Sequence, residues 1–224
     1  MPAPARSNRP SRDKNVFRYN SSIAALCAAA LLLSACSGSD ETASTAGQCD
    51  ISNELAEAMK PLATGDLAAF VVLEKPEPIG NLRFDDANGQ PVSVSAFEGK
   101  TALVNLWATW CVPCREEMPY LKQLHEERAG DDFAVVPVSM DLGTADKPKA
   151  FYRDMNLDPL PFYHDGKMAA FNTFKKRSLA LGLPATILLG PDGCILGKLN
   201  GPAEWAGNEA RALIEAAIPK PVSN

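Results

Sequence analysis

Two cysteines, two residues apart, stand where an apolar run gives way to a polar, helix-forming one. That junction constrains the fold more than any other feature of the chain. Thr101 to Leu106 reads as a buried strand, the block Trp107-Ala-Thr-Trp-Cys-Val-Pro-Cys114 follows, and Arg115 to Arg128 reads as a helix. Met118, Leu121 and Leu124 fall on roughly one face of that helix, and Pro119 inside it predicts a kink. Cys111 is then placed at a helix N-terminus, where unpaired N–H groups and the macrodipole favour thiolate over thiol. Cys114, one turn further in, is expected to be buried and positioned to attack a disulfide formed at Cys111.

The pattern around the junction alternates strand and helix. Ser52 to Met59 has cap and helix-forming residues and stops at Pro61. Leu67 to Leu73 reads as a short strand or a docking segment, and Pro76 and Pro78 punctuate the entry to the core domain. Asn81 to Val94 reads as a hairpin, with Asn88-Gly89 the strongest turn signal. Asp132 to Met140 is a second core strand, Ala145 to Met155 a helix, Pro161 to Tyr163 a short extended piece, and Lys167 to Phe174 another short helix. Ala185 to Leu189 and Cys194 to Leu199 flank the turn Gly190-Pro-Asp-Gly193 as a terminal hairpin, and Glu204 to Ile218 forms the last helix. An α/β fold with a central mixed sheet flanked by helices follows, with an N-terminal hairpin and a helical extension.

The ends of the chain differ in charge. Five of the 22 basic residues but one of the 27 acidic ones lie in the first 20 positions, so the remainder carries nine more acids than bases. Nucleic acid is therefore not an expected partner. The basic head precedes Ile23 to Ala35, a mostly apolar stretch of signal-peptide length and short of the roughly 20 residues that a spanning helix needs. It ends in Leu33-Ser-Ala-Cys36, similar to the lipobox of bacterial lipoproteins, in which Cys36 would be the lipid site after cleavage. An uncleaved signal anchor is the alternative, and both place the domain outside the cytoplasm at a membrane. The expected organisation is a signal peptide or anchor over 1–35, a small, polar tether over 36–48, an extension packed on the core over 49–75, and the main domain over 76–222.

Six cysteines then sort by position. Cys27 lies in the apolar stretch, Cys36 follows it, and Cys111 and Cys114 form the motif, which leaves Cys49 and Cys194. In an oxidising compartment a left-over pair reads as a structural disulfide; two free buried thiols are the alternative.

Over roughly residues 79–218 the chain resembles thioredoxin-fold proteins of the TlpA type, the tethered extracytoplasmic group that includes ResA and CcmG. The resemblance rests on Trp107 to Pro119, on Gly182-Leu-Pro-Ala-Thr186, on Gly190 to Cys194 and on Gly201-Pro-Ala-Glu-Trp205. It implies a thioredoxin-like fold and thiol–disulfide exchange with Cys111 as nucleophile and Cys114 as resolving thiol. It assigns Pro184 to a cis-proline loop facing the motif, where Leu183 offers main-chain groups to an extended substrate segment. Trp110, Val112 and Pro113 are the expected contact surface beside Cys111, and Trp107 a core residue. Thioredoxins proper carry a buried Asp where this chain has Asn105. ResA-like proteins carry a glutamate that falls on Glu117, which the resemblance nominates as acceptor of the Cys114 proton; a first-turn acid that merely suits the helix N-terminus is the alternative. His125 and His164 read as surface or packing residues, and the run Lys175-Lys-Arg177 as a solvated face.

The resemblance leans toward reduction of disulfides in respiratory-chain assembly proteins, those of cytochrome maturation or copper-site assembly, with a membrane thiol reductase as electron donor. An oxidase or isomerase would use the same two cysteines. A copper-binding module of the Sco type would want CxxxC and a distant histidine, and a zinc site four ligands where two are at hand. A peroxiredoxin-like peroxidase needs no proline-containing CxxC. No metal and no cofactor are therefore expected.

Overall fold

The computed structural model describes residues 49–220. Cys27, Cys36, the signal segment and the tether lie outside the described residues. The elements run α1 (Asp50–Met59), β1 (Val71–Pro78), β2 (Arg83–Asp86), β3 (Pro91–Ser93), β4 (Thr101–Trp107), α2 (Val112–Arg128), β5 (Phe133–Ser139), α3 (Asp146–Asp154), β6 (Tyr163–His164), α4 (Ala169–Lys176), β7 (Ala185–Leu189), β8 (Cys194–Asn200) and α5 (Asn208–Ala216). The strands form one mixed sheet in the order β1-β8-β7-β4-β5-β6-β2-β3.

β4 sits at its centre, parallel to β5 and antiparallel to β7. All seven of its residues are buried, because helices or hairpin cover both faces of the sheet. The strand period of two then sorts its side chains. Leu103 and Trp107 pack with Met118, Leu121 and Leu124 of α2 and with Leu213 of α5. Ala102, Val104 and Leu106 face the opposite layer, with Phe84 of β2 and Ala170 and Phe174 of α4. Asn105, alternating with Leu103 and Trp107, is thereby directed to the α2 side.

Several boundaries differ from the sequence reading. Leu67 ends a single-turn helix, Gly65–Leu67, and the strand expected around it begins at Val71 and runs on to Pro78. Pro76 and Pro78 are tolerated inside β1 because it is an edge strand. The register against β8 also shifts between Val72 and Glu77, so the ladder is already interrupted there. The last helix starts at Asn208 rather than Glu204, since Trp205 and Ala206 are buried in the loop before it. α2 begins at Val112 and continues through Pro119, whose exposed ring leaves the Arg115 carbonyl without its usual donor. Arg177 is an anchor as well as a surface residue: its guanidinium donates to the Ile79 and Pro78 carbonyls at 2.6 and 2.9 Å and to Glu77 at 2.6 Å. Among the described residues no helix is long and apolar enough to cross a membrane.

Cys49 and Cys194 are joined by a disulfide, Cα–Cα 5.7 Å, across 145 positions of sequence. It ties the residue that precedes α1 to the first residue of β8.

Candidate active site

β4 delivers the chain from the centre of the sheet directly into the cysteine motif. Cys111 is the N-cap of α2: its carbonyl accepts from Arg115 N–H at 3.1 Å, and its Sγ accepts from Cys114 N–H at 3.3 Å. Val112 and Pro113 take the first helical turn, where a proline's missing donor costs nothing. The two sulfurs are bonded to each other, with Cα–Cα 5.3 Å, so the site is in its oxidised form. Cys114 is fully buried and Cys111 nearly so, while Trp110 and Val112 beside them are 57% and 59% exposed. Attack from outside therefore reaches Cys111 first.

The loop entering the motif is held by a residue that the sequence reading passed over. Asp141, just beyond β5, accepts from Thr109 N–H at 2.9 Å, from Thr109 Oγ1 at 2.5 Å and from Ser139 Oγ at 3.0 Å. Lys147 Nζ lies 3.9 Å from the same carboxylate, and His164 Nε2 is 2.8 Å from the Asp141 carbonyl. His164 is thus a buried packing residue with a defined partner. An aspartate thirty residues from the motif, in no recognisable pattern, gives no sequence signal for this role.

Glu117 lies one turn beyond Cys114 on the buried face of α2 and is 1% exposed. Its Oε1 accepts from Asn105 Nδ2 at 2.5 Å and its Oε2 from Ala203 N–H at 3.1 Å. Burial lifts this carboxyl from the ordinary 4.5 to about 7, against the opposing pull of Asn105, Ala203 and the more distant Trp205 indole. It also lines a cavity of about 380 Å³ whose rim carries Asp66, Glu116, Tyr120 and Glu204. With α2 starting at Val112 no acidic residue lies in its first turn; Glu116 is exposed beyond that turn, and Glu117 is buried.

The second wall comes from the loop before β7. Ala185 pairs with Leu106, so Pro184 lies at the same end of the sheet as the motif. The Leu183–Pro184 peptide is cis. The Leu183 N–H and C=O have no partner among the described residues, whereas Pro184 C=O accepts from Gly201 N–H at 3.0 Å. Leu181, two positions earlier, is 81% exposed. Among the described residues no group of three or more His, Cys, Asp or Glu is arranged to hold a metal ion.

Residues 73–214 match the redoxin family. The chain belongs to that family. A thiol-disulfide oxidoreductase ResA of Oceanobacillus iheyensis is 26% identical to this redoxin over 189 residues, which are 84% of this chain and 83% of that one. A thiol:disulfide interchange protein CycY of Rhizobium leguminosarum biovar viciae is 32% identical over 138 residues, 58% of this chain and 66% of the relative. A candidate thiol:disulfide interchange protein DsbE from Chlorobium tepidum has a solved structure that superposes with TM-score 0.56. It is 25% identical and covers 65% of this redoxin and 98% of its own chain. The redoxin is accordingly a thiol-disulfide oxidoreductase of the ResA and DsbE type on a thioredoxin-like fold.

Proposed function

We propose that this redoxin is a membrane-tethered periplasmic protein-disulfide reductase that serves proteins of cytochrome maturation or copper-site assembly. The observation that carries the chemistry is the Cys111–Cys114 pair at the start of α2, with Cys111 lying between exposed Trp110 and Val112, Cys114 fully buried, and Glu117 one turn beyond it. In the reduced protein, the Cys111 thiolate attacks one sulfur of a substrate disulfide and expels the other as thiolate, forming a mixed disulfide. Cys114 passes its proton to the Glu117 carboxylate and attacks Cys111 Sγ. The second substrate thiolate leaves, two electrons have moved to the substrate, and the Cys111–Cys114 disulfide remains. A membrane thiol reductase returns the pair to its dithiol form.

Trp110, Val112 and Pro113 on one side and the unpaired main chain of Leu183, next to Pro184, on the other form the substrate contact. An extended segment carrying a cysteine can pair with Leu183 while its sulfur meets Cys111. The signal-length segment ending at Cys36 supports the tethered location, with Cys36 as the lipid attachment point.

Replacing Cys114 with Ser tests the reading. The variant is expected to accumulate mixed disulfides at Cys111 with membrane-associated or periplasmic proteins that carry paired cysteines, released by dithiothreitol. Absence of any such adduct overturns the exchange mechanism. A reduction potential near that of a strong oxidant, about −120 mV, overturns the reductase direction.

A further inference from the structure

Both hydrogen bonds that reach the Glu117 carboxyl come from donors: Asn105 Nδ2 at 2.5 Å on Oε1 and Ala203 N–H at 3.1 Å on Oε2. That arrangement fits a carboxylate. A carboxylic acid there must donate, and a main-chain N–H has nothing with which to accept. Asn105 does. Its Oδ1 is buried and without a partner among the described residues, an idle acceptor on the same side chain whose donor end is fully used. The donor end also reaches Thr186 Oγ1 at 2.9 Å, and a hydroxyl accepts or donates with equal ease.

We infer that Asn105 is a positioning residue of the proton-transfer step, its amide turning over as Glu117 takes the Cys114 proton. In the carboxylate state Nδ2 donates to Glu117 Oε1 and Thr186 Oγ1. When the proton leaves Cys114 Sγ and binds Glu117, the amide rotates by a half turn about its last torsion. Oδ1 then accepts from the Glu117 O–H and from the Thr186 hydroxyl. Glu117 then faces a hydrogen-bond partner of the matching sense in either state, the Nδ2 donors take the place that Oδ1 held, and no bond other than S–H and O–H is made or broken. The inference rests on Glu117 being the proton acceptor.

The surroundings leave this task to Asn105. Against Glu117 stand Asn105 on β4 and Ala203 and Trp205 from the loop before α5, and Cys114 lies three residues before it on its own helix. Thr186 on β7 backs Asn105. The charged groups nearby are the acids of the adjoining cavity, Asp66, Glu116 and Glu204. No lysine, arginine or histidine forms an ion pair with Glu117 among the described residues. A fixed donor in place of Asn105 would face the acid with a second donor, and a fixed acceptor would face the carboxylate with a lone pair.

Side-chain NMR of the full-length protein tests this with no substitution. The Glu117 carboxyl carbon is followed against pH, together with nuclear Overhauser contacts from the Asn105 Nδ2 protons. The contacts to Thr186 and Glu117 should be present above the Glu117 inflection and lost below it. If the carboxyl titrates and the contacts persist unchanged, the turning amide is wrong while the proton-acceptor reading stands. If the carboxyl does not titrate between pH 5 and 9, both fall. Two variants add a readout in turnover. Asn105→Leu should move the inflection of the pH–rate profile of thiol–disulfide exchange upward by about one unit, since a charged hydrogen bond is lost against a weaker neutral one. Asn105→Asp should move it upward too, because two carboxyls then share one site. An unmoved inflection in both folded variants overturns the role.

Discussion

At the scale of single residues, Glu117 ties the stability of the protein to its chemistry. Its carboxyl titrates near 7 in the fold against 4.5 for an unburied glutamate, so the folded state binds this proton more tightly than the unfolded one. The contribution to stability is therefore complete below pH 4.5 and is lost as pH rises through 7, about 3 kcal/mol in all. Glu117→Gln keeps the size and removes the titration. In the oxidised protein, where neither thiol contributes, denaturant titrations should show wild type losing that amount relative to the variant between pH 4.5 and 8. Parallel pH profiles would sink the assignment. In turnover, the same variant lacks the acceptor for the Cys114 proton, and resolution of the mixed disulfide should slow by about 10²-fold at pH 8. The sequence marked Glu117 only through a resemblance, and the two readings it left open differ in burial, which no local pattern specifies. Asn105 was legible merely as a departure from aspartate; its contact with Glu117 depends on the face that β4 turns to α2.

At the scale of elements, the motif is a strand end, a loop and a helix start, and the loop is the part that needs outside support. β4 was readable from its apolar run and α2 from its periodicity, because each carries its own local signal. The loop Ala108 to Trp110 takes its shape from Asp141, supplied by the neighbouring strand, and periodicity says nothing of such a partner. For the same reason the edge strand β1 was misplaced: it is defined by its ladder with β8 and not by alternation. Asp141→Ala strips the Thr109 N–H and hydroxyl of their acceptor inside the protein, which costs about 2–3 kcal/mol. Urea unfolding should show that loss, and alkylation of reduced Cys111 should change with it as the loop loosens. Asp141→Asn retains one oxygen for Thr109 and should recover about half of the stability. Equal losses in both variants would place the effect in the charge facing Lys147 rather than in the hold on the loop.

At the scale of the whole molecule, the stretch before the core domain is built into it rather than appended. β1 extends the sheet past β8, and the expected boundary at residue 75 falls inside that strand. Two glycines record how closely the extension approaches. A Cβ at Gly197 would stand 2.3 Å from the Phe70 ring, and one at Gly190 2.2 Å from Ser52 Oγ. Ser52 also bonds the Asp192 carboxylate through its hydroxyl and, at 3.0 Å, through its N–H. The Cys49–Cys194 disulfide closes the same junction, and its separation of 145 positions gives a loop-entropy contribution of about 5 kcal/mol. Replacing both cysteines with serine should lower stability by about 2–5 kcal/mol, since the glycine-permitted packing and the Ser52–Asp192 contacts persist without the bond. The exchange site stands at the other end of β7, where Ala185 meets Leu106, so exchange by Cys111 and Cys114 should keep its wild-type rate and potential. Calorimetry paired with a redox titration checks both halves. A double variant with shifted potential would mean that the extension is coupled to the active site, and one with unchanged stability would mean that packing alone holds the extension in place.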